Sequence, residues 1–456
     1  MTATVITAHA RLRRAFSLED VPPVAARIAR LKQLGDALRD RRSDLIAAID
    51  ADFGPRAESE TMTAELAFLR TGLKHTIRHL PRWSRPRTAR VLQPVPGRTD
   101  IWTEPKGVVG ILSPWNYPLQ LALMPLISAV AAGNRVLLKP SERSPATTAA
   151  LASLLEAVFP PDELAVVTGG PDVAQAVAAL PLGHLFFTGS TETGRKVAQA
   201  AARTLTPVTL ELGGRSPAVA LPDASPEDHA PIIAWGAWLS AGQTCVAPNH
   251  LWVPRDSAPA WTDALLDAAR GFLPDDYTAM IDARAFSRME RMIAEAREGG
   301  ALVRVTEGEV RGRRTIAPTI VVDPPPDSAL MTEEIFGPVL VVLTYRDPEE
   351  VIVAEADASP LAAYVFDRDA ARARRFLTRL RSGGGAVNAT VLHLAAHDLP
   401  FGGIGESGYG AYHGHRGFRE FSHERAVFTA ARGPWLRMLL PPYSETARRL
   451  FRRMTQ

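Results

Sequence analysis

From Gly107 to Leu221 the chain alternates short apolar runs with segments of helical spacing. This alternation restricts the fold more than any other feature of the sequence. The apolar runs lie at 108–112, 136–138, 164–167, 184–187, 208–210 and 218–221. Helix-like sequence fills 119–132, 144–158, a stretch after Pro171 and another from about Thr191. Runs this short with no polar alternation suit strands buried on both faces. Strands separated by helices in this way predict repeated βα units and a doubly wound parallel sheet. A looser α/β pattern continues over 231–390 and predicts a second α/β domain.

The flanks read differently. Ile28, Leu31, Leu34 and Leu38 recur at spacings of three and four, and Ser43 is the expected N-cap of a next helix carrying Leu45, Ile46 and Ile49 on one side. The stretch 81–105 is dense in proline and arginine and predicts an extended excursion, an exposed hairpin. The first eighteen residues hold Arg11, Arg13 and Arg14 with no acid before Glu19. They weakly resemble a mitochondrial presequence but lack its other marks, and are expected to form a frayed arm. Near the C-terminus, Ala447, Leu450, Phe451 and Met454 share one helical face, and Arg448, Arg449, Arg452 and Arg453 the other. Such a helix suits contact with a membrane interface; packing on its own protein is the alternative.

Composition excludes several classes. The 456 residues are 46% hydrophobic with a formal net charge of +3, and no aromatic-plus-basic array suggests nucleic acid. No stretch reaches the roughly 18–20 apolar residues that a bilayer span needs. His393 and His397 lack the glutamate of a zincin motif, so no metal is expected. A single cysteine, Cys245, forms no intrachain disulfide and no Cys-rich metal site. It is either a small core hydrophobe or a nucleophile. A free thiol fits a reducing compartment, and a cytoplasmic location is expected.

Four strand ends carry the candidate chemistry. Phe186-Phe187-Thr188-Gly189-Ser190 leads into a helix through Gly194, a turn that presents backbone N–H groups to a phosphate or is simply a strand–helix turn. Lys139-Pro140-Ser141-Glu142 places a cation and an acid beyond a strand's carboxyl end, where ligands of doubly wound sheets bind; a solvated strand end is the alternative. Glu211, between two leucines and before Gly213-Gly214, is a general base in an apolar niche or a surface turn acid. Asn116, between Pro114 and Pro118, is an oxyanion donor or a capping residue.

Together these segments resemble the aldehyde dehydrogenase superfamily. They occur in its order with Gly242-Gln243-x-Cys245, Glu333-Glu334-Ile335-Phe336-Gly337-Pro338 and Pro400-Phe401-Gly402-Gly403-Ile404-Gly405-x-Ser407-Gly408. The match covers about residues 23 to 430. Asp276-Tyr277-Thr278 and Gly410-Ala411-Tyr412-His413-Gly414 resemble the class 3 branch, and the whole resembles its bacterial coniferyl aldehyde dehydrogenases. Arg215, where lysine is common, and Asn249-His250, where Asp-Tyr is frequent, depart from the pattern.

The resemblance implies NAD(P)-dependent oxidation of an aldehyde, aromatic or medium-chain, to the acid. By that resemblance Cys245 would be the nucleophile, Asn116 and the Cys245 N–H would hold the oxyanion, and Glu211 would activate water. Lys139 and Glu142 contact the adenosine ribose, Gly189, Ser190 and Gly194 the phosphates, and Glu334 and Phe336 the nicotinamide ribose and ring. Tyr117, Trp235 and Thr244 wall the substrate tunnel or belong to the core. Glu142 favours NAD, because a carboxylate near the 2′-hydroxyl repels a 2′-phosphate. The implied division is a dinucleotide-binding domain at 1–80 and 107–212, a catalytic domain at 213–395, bridging and oligomerisation segments at 81–106 and 396–430, and a basic tail at 431–456. A homodimer is implied as well. An enzyme that passes its acyl group to coenzyme A, or a noncatalytic protein that keeps the fold, is the alternative.

Overall fold

The computed structural model describes residues 2–88 and 97–456. Two parallel-rich sheets organise it. The first has six strands in the order Gly408–Tyr409, Val208–Leu212, His184–Gly189, Val108–Leu112, Arg135–Lys139 and Leu164–Val166. Its five long-chain neighbours pair in parallel; only Gly408–Tyr409 runs antiparallel, with Gly408 opposite Glu211. Val108–Leu112 and Arg135–Lys139 are buried at every position, as expected for strands covered on both faces.

The second sheet has seven strands, ordered Leu302–Val305, Thr319–Val322, Val339–Tyr345, His250–Pro254, Pro217–Ala220, Ala362–Phe366 and Gly384–Val387. The chain crosses from one sheet to the other between Leu212 and Pro217. A third, antiparallel sheet joins Arg87–Thr88, Gly97–Pro105 and Ser422–Ala430, and it stands out with most residues exposed.

Three expectations are corrected. Residues Thr2–Leu18 form a helix rather than a frayed arm. Val5, Ala8, Leu12 and Ala15 recur at helical spacing, and Val5, Ala8 and Leu12 pack in one cluster with Val108, Leu137 and Ala165 of the first sheet. Arg11 then donates to the Pro161 carbonyl at 2.8 Å. Ser43 is not an N-cap: the helix Arg42–Phe53 starts behind Arg41, because the preceding helix ends at Asp40 and leaves no loop between them. The proline-rich stretch is helical at first, since Phe68–Trp83 carries Pro81 in its last turn. Gly97–Pro105 then pairs with Ser422–Ala430, far along the chain, rather than only with its own neighbour; residues 89–96 of the expected hairpin lie outside the described residues.

Candidate active site

The helix Pro226–Trp238 ends in a tight turn, Leu239–Gly242, that delivers Gln243, Thr244 and Cys245. Ser240, Ala241 and Gly242 are all left-handed, with φ of 53°, 51° and 71°. Gly242 is required, because a Cβ there would lie 2.1 Å from the Gly337 carbonyl oxygen. For serine and alanine this conformation costs about 1 kcal/mol or more each, so other groups must hold it.

Buried charges do so. The Ser240 N–H donates to Glu60 Oε1 at 2.7 Å. Arg56 Nη1 donates to Ser240 Oγ at 3.2 Å and to the Asn116 carbonyl at 2.8 Å. Glu65 accepts the N–H groups of Leu119 and Gln120, each at 2.8 Å, at the start of the helix that follows Asn116. Burial pushes the carboxyls of Glu60 and Glu65 above their usual range, and the Arg56 guanidinium pulls both back. One buried cation thus ties the turn before Cys245 to the segment that carries Asn116. Gln243 completes the clamp: its side-chain amide donates to the carbonyls of Ser240 and Ala279 and accepts the Ile281 N–H, all at 3.0 Å.

The predicted residues converge on Cys245. Asn116 is 3% exposed, and its Nδ2 donates to the Gln243 carbonyl at 3.0 Å, so it faces the nucleophile loop rather than capping a helix. Glu211, at 2% exposure, is no surface acid, and neither of its carboxylate oxygens has a partner among the described residues. Burial, followed by the charge of Glu420, raises its pKa well above the carboxylate range. Burial pushes the Cys245 thiol up to about 12, with Glu334 and Glu211 adding to the rise and the backbone N–H groups of Cys245 and Val246 opposing it.

Cys245 sits where two cavities meet. The larger, about 900 Å³, is lined by Asn116, Glu142, Gly189, Ser190, Glu211, Glu334 and Phe336. The smaller, about 230 Å³ and mainly apolar, is lined by Tyr117, Trp235, Thr244, Phe68 and Val391. Leu121, Cys245, Phe401 and Tyr412 border both. Lys139 is not solvated: it is 4% exposed and pairs with Glu142 at the rim of the larger cavity. Gly194 lines neither cavity; it lets its helix pack on Leu212, whose Cδ2 a Cβ would approach to 2.6 Å. Tyr117 and Thr244 are hydroxyl partners at 2.7 Å.

The larger cavity has the features a dinucleotide needs. Ser190 caps the helix Thr191–Ala202 and leaves its N-terminus open to the cavity. Gly213 makes room for Glu334, whose carboxylate oxygens would lie 2.1 and 2.2 Å from a Cβ there. Glu334 is itself pushed to about 7 by burial, and its Oε1 has no partner among the described residues.

This pairing of a thiol, an unpartnered acid and a large cavity across two such sheets has known counterparts. The family model "Aldehyde dehydrogenase family" matches residues 2–427, and the chain belongs to that family. It is an NAD(P)-dependent aldehyde-oxidising enzyme by that membership. Among individual relatives, the "Probable coniferyl aldehyde dehydrogenase" of Pseudomonas aeruginosa is 42% identical over 97% of this chain and 94% of its own. A substrate-bound structure of Staphylococcus aureus AldH superposes with a TM-score of 0.92, at 32% identity and 99% coverage of both chains. An aldehyde dehydrogenase of Mycobacterium tuberculosis in complex with NAD+ gives 0.85, at 29% identity over 93% of this chain and 90% of its own.

Sequence reasoning missed part of the site. Arg56, Glu60 and Glu65 lie in a helical region whose periodicity carried no chemical signal, although three charges at buried positions are uncommon. Phe401 and Tyr412 lie within glycine-rich motifs, yet their place beside Cys245 depends on an isolated bridge between Phe401 and Tyr412 themselves. The departures have local partners: Asn249 accepts the Ile335 N–H at 2.8 Å, and His250 pairs with Glu355 at 2.7 Å. The charge of Arg215 also faces Glu355.

Proposed function

We propose that the chain oxidises an aromatic or medium-chain aldehyde, of coniferyl-aldehyde type, to its carboxylic acid through an acyl-enzyme on Cys245. The observation that carries this reading is the position of Cys245 between a cavity of about 900 Å³ with a mixed polar and apolar lining and a smaller, mainly apolar one. The Cys245 thiolate adds to the aldehyde carbon. The resulting oxyanion is held by Asn116 Nδ2 and the Cys245 N–H. A bound nicotinamide supplies the hydride acceptor, after which Cys245 carries a thioester. Glu211 takes a proton from water, the hydroxide adds to the thioester carbon, and the acid leaves as the thiolate returns.

With the dinucleotide in the larger cavity, Lys139 and Glu142 would hold the adenosine ribose, Gly189 and Ser190 the phosphate segment, and Glu334 and Phe336 the nicotinamide end, while Gly194 acts only by seating its helix on Leu212. The Glu142 carboxylate favours NAD over NADP. A panel of aliphatic, benzylic and cinnamyl aldehydes, each assayed with both nicotinamides, tests the reading: aryl aldehydes with NAD are expected to give the highest kcat/KM. Strict dependence of product release on coenzyme A would replace hydrolysis by acyl transfer.

Two associations accompany this reading. The arm formed by Gly97–Pro105 and Ser422–Ala430 exposes Trp102 and Phe428, and an isolated ribbon of this kind is marginal in water. A second copy covering it gives a homodimer, so sedimentation at the mass of one chain would count against it. The tail helix Glu445–Met454 exposes Leu450 and Met454, and Leu439, Leu440 and Tyr443 are exposed beside it. Among the described residues, Arg449, Arg452 and Arg453 pair with no carboxylate. This face suits an anionic bilayer. Co-sedimentation with anionic vesicles is expected to fall on removal of residues 445–456; equal binding without them removes the idea. A cytoplasmic site of action, where the free thiol persists, belongs to the same proposal.

A further inference from the structure

The geometry points to His413 as the residue that recognises a hydrogen-bonding oxygen on the aromatic ring of the substrate. The inference rests on the proposed oxidation of aryl aldehydes at Cys245 and adds the chemical class that the pocket selects.

His413 lines the apolar cavity that also holds Cys245. It is 2% exposed, and both Nδ1 and Nε2 are buried with no hydrogen-bond partner among the described residues. A buried polar atom left in this state costs about 1–3 kcal/mol, and a single unpartnered nitrogen would already be notable. The backbone is strained as well: His413 has φ 75°, a region that favours glycine, although an imidazole occupies it. Strain at a cavity wall is a frequent mark of a binding position.

Its aromatic neighbours offer the nitrogens no hydrogen bond. The ring stacks on Phe401 at 5.4 Å between centroids with 19° between planes, and it meets Tyr412 at 4.4 Å and Phe68 at 5.5 Å. These neighbours offer ring faces and edges to the imidazole. Two other histidines are near it: His397 is 6.4 Å away between centroids and bonds to Thr71 at 2.8 Å, and His393, whose ring nitrogens are also buried without partners among the described residues, does not line this cavity. Among the other polar groups of the cavity, the Tyr117 and Thr244 hydroxyls bond to each other, and Thr244 also donates to the Leu239 carbonyl at 3.2 Å.

Burial lowers the His413 pKa to about 3. The imidazole is therefore neutral at working pH, with one N–H donor and one lone-pair acceptor. A phenolic hydroxyl, which both donates and accepts, satisfies either nitrogen. An alkyl group of the same size satisfies neither and leaves the buried pair as it was. A site of this kind discriminates by the hydrogen bond rather than by volume.

The test compares 4-hydroxybenzaldehyde with 4-methylbenzaldehyde, which is nearly isosteric, at mildly acidic pH where the phenol is un-ionised. The wild-type enzyme is expected to favour the hydroxylated aldehyde in kcat/KM by about tenfold or more. His413→Phe keeps a ring and removes both nitrogens, so the preference should fall to within about threefold while turnover of the methyl compound is retained. His413→Gln, which keeps a donor and an acceptor, should retain part of the preference. Equal kcat/KM for the two aldehydes in the wild-type enzyme overturns the inference, as does a preference that survives in His413→Phe. If His413→Phe does not fold, competitive inhibition by 4-hydroxyacetophenone against 4-methylacetophenone on the wild type and His413→Gln decides: no difference in the wild type overturns it. Oxidation of aliphatic aldehydes with neither benzaldehyde accepted would instead fail the aryl-aldehyde reading.

Discussion

Cys245→Ala is expected to lower aldehyde oxidation by at least about four orders of magnitude, because it removes the thiol on which the proposed acyl-enzyme forms. The thiol is half-buried and makes no disulfide, so the variant should fold and bind nicotinamide as before. Retained turnover in Cys245→Ala would refute the covalent route. Titration supplies a second readout. With the thiol pushed up to about 12, only a small fraction is thiolate near neutrality, and alkylation of the free enzyme by iodoacetamide should accelerate steadily as the pH rises. Glu334 contributes to that rise, so Glu334→Gln should speed alkylation at a given pH. An unchanged rate would mean that Glu334 adds nothing to the effects of burial and Glu211 on the thiol.

The second large effect is expected at Glu211. Glu211→Gln leaves Cys245 and Asn116 in place and removes the base, so the acyl-enzyme should form and then persist. Steady-state kcat should fall by about 10²–10⁴-fold. Reduced nicotinamide should appear in a burst of about one per site before the slow phase. The sign of the pH effect follows from the raised pKa. Glu211 accepts a proton from water only when ionised, so the acid limb of the wild-type kcat profile should lie above the ordinary carboxylate range. That limb should disappear in Glu211→Gln. Full steady-state turnover in the variant would mean that another group, or an acyl acceptor other than water, completes the cycle.

The two carboxylates beside Cys245 differ in support. Glu334 has a backbone donor at Gly214 and the charge of Arg288 to offset its burial, whereas Glu211 has only the repulsion of Glu420. The less supported acid is the better base, since its proton affinity is the higher. The arrangement also explains why Gly408 faces Glu211 across the sheet edge. A Cβ at Gly408 would lie 1.9 Å from the Leu210 carbonyl oxygen, so only glycine lets that short strand close over the acid.

Much of this was legible in advance, for local reasons. The apolar runs at 108–112, 136–138 and 184–187 became strands of the first sheet almost where they were read, because residues buried on both faces leave an unbroken signal. The N-terminal helix is less legible: Val5, Ala8, Leu12 and Ala15 carry helical spacing, but small residues and the interleaved Arg11, Arg13 and Arg14 weaken the apolar period. Ser43 shows the opposite error: a good capping residue stands in the first turn of a helix that a neighbouring helix end had already begun.

By itself the sequence determined the order of strands and helices, the single thiol and the motif residues around it, since periodicity and residue chemistry are properties of neighbouring positions. The tertiary structure alone decided that Arg56 meets Asn116 and Ser240, that Phe401 and Tyr412 close over Cys245, and that both nitrogens of His413 are buried without partners. The physical reason is that desolvation and long-range hydrogen bonds arise only when segments far apart in the chain exclude water from one another.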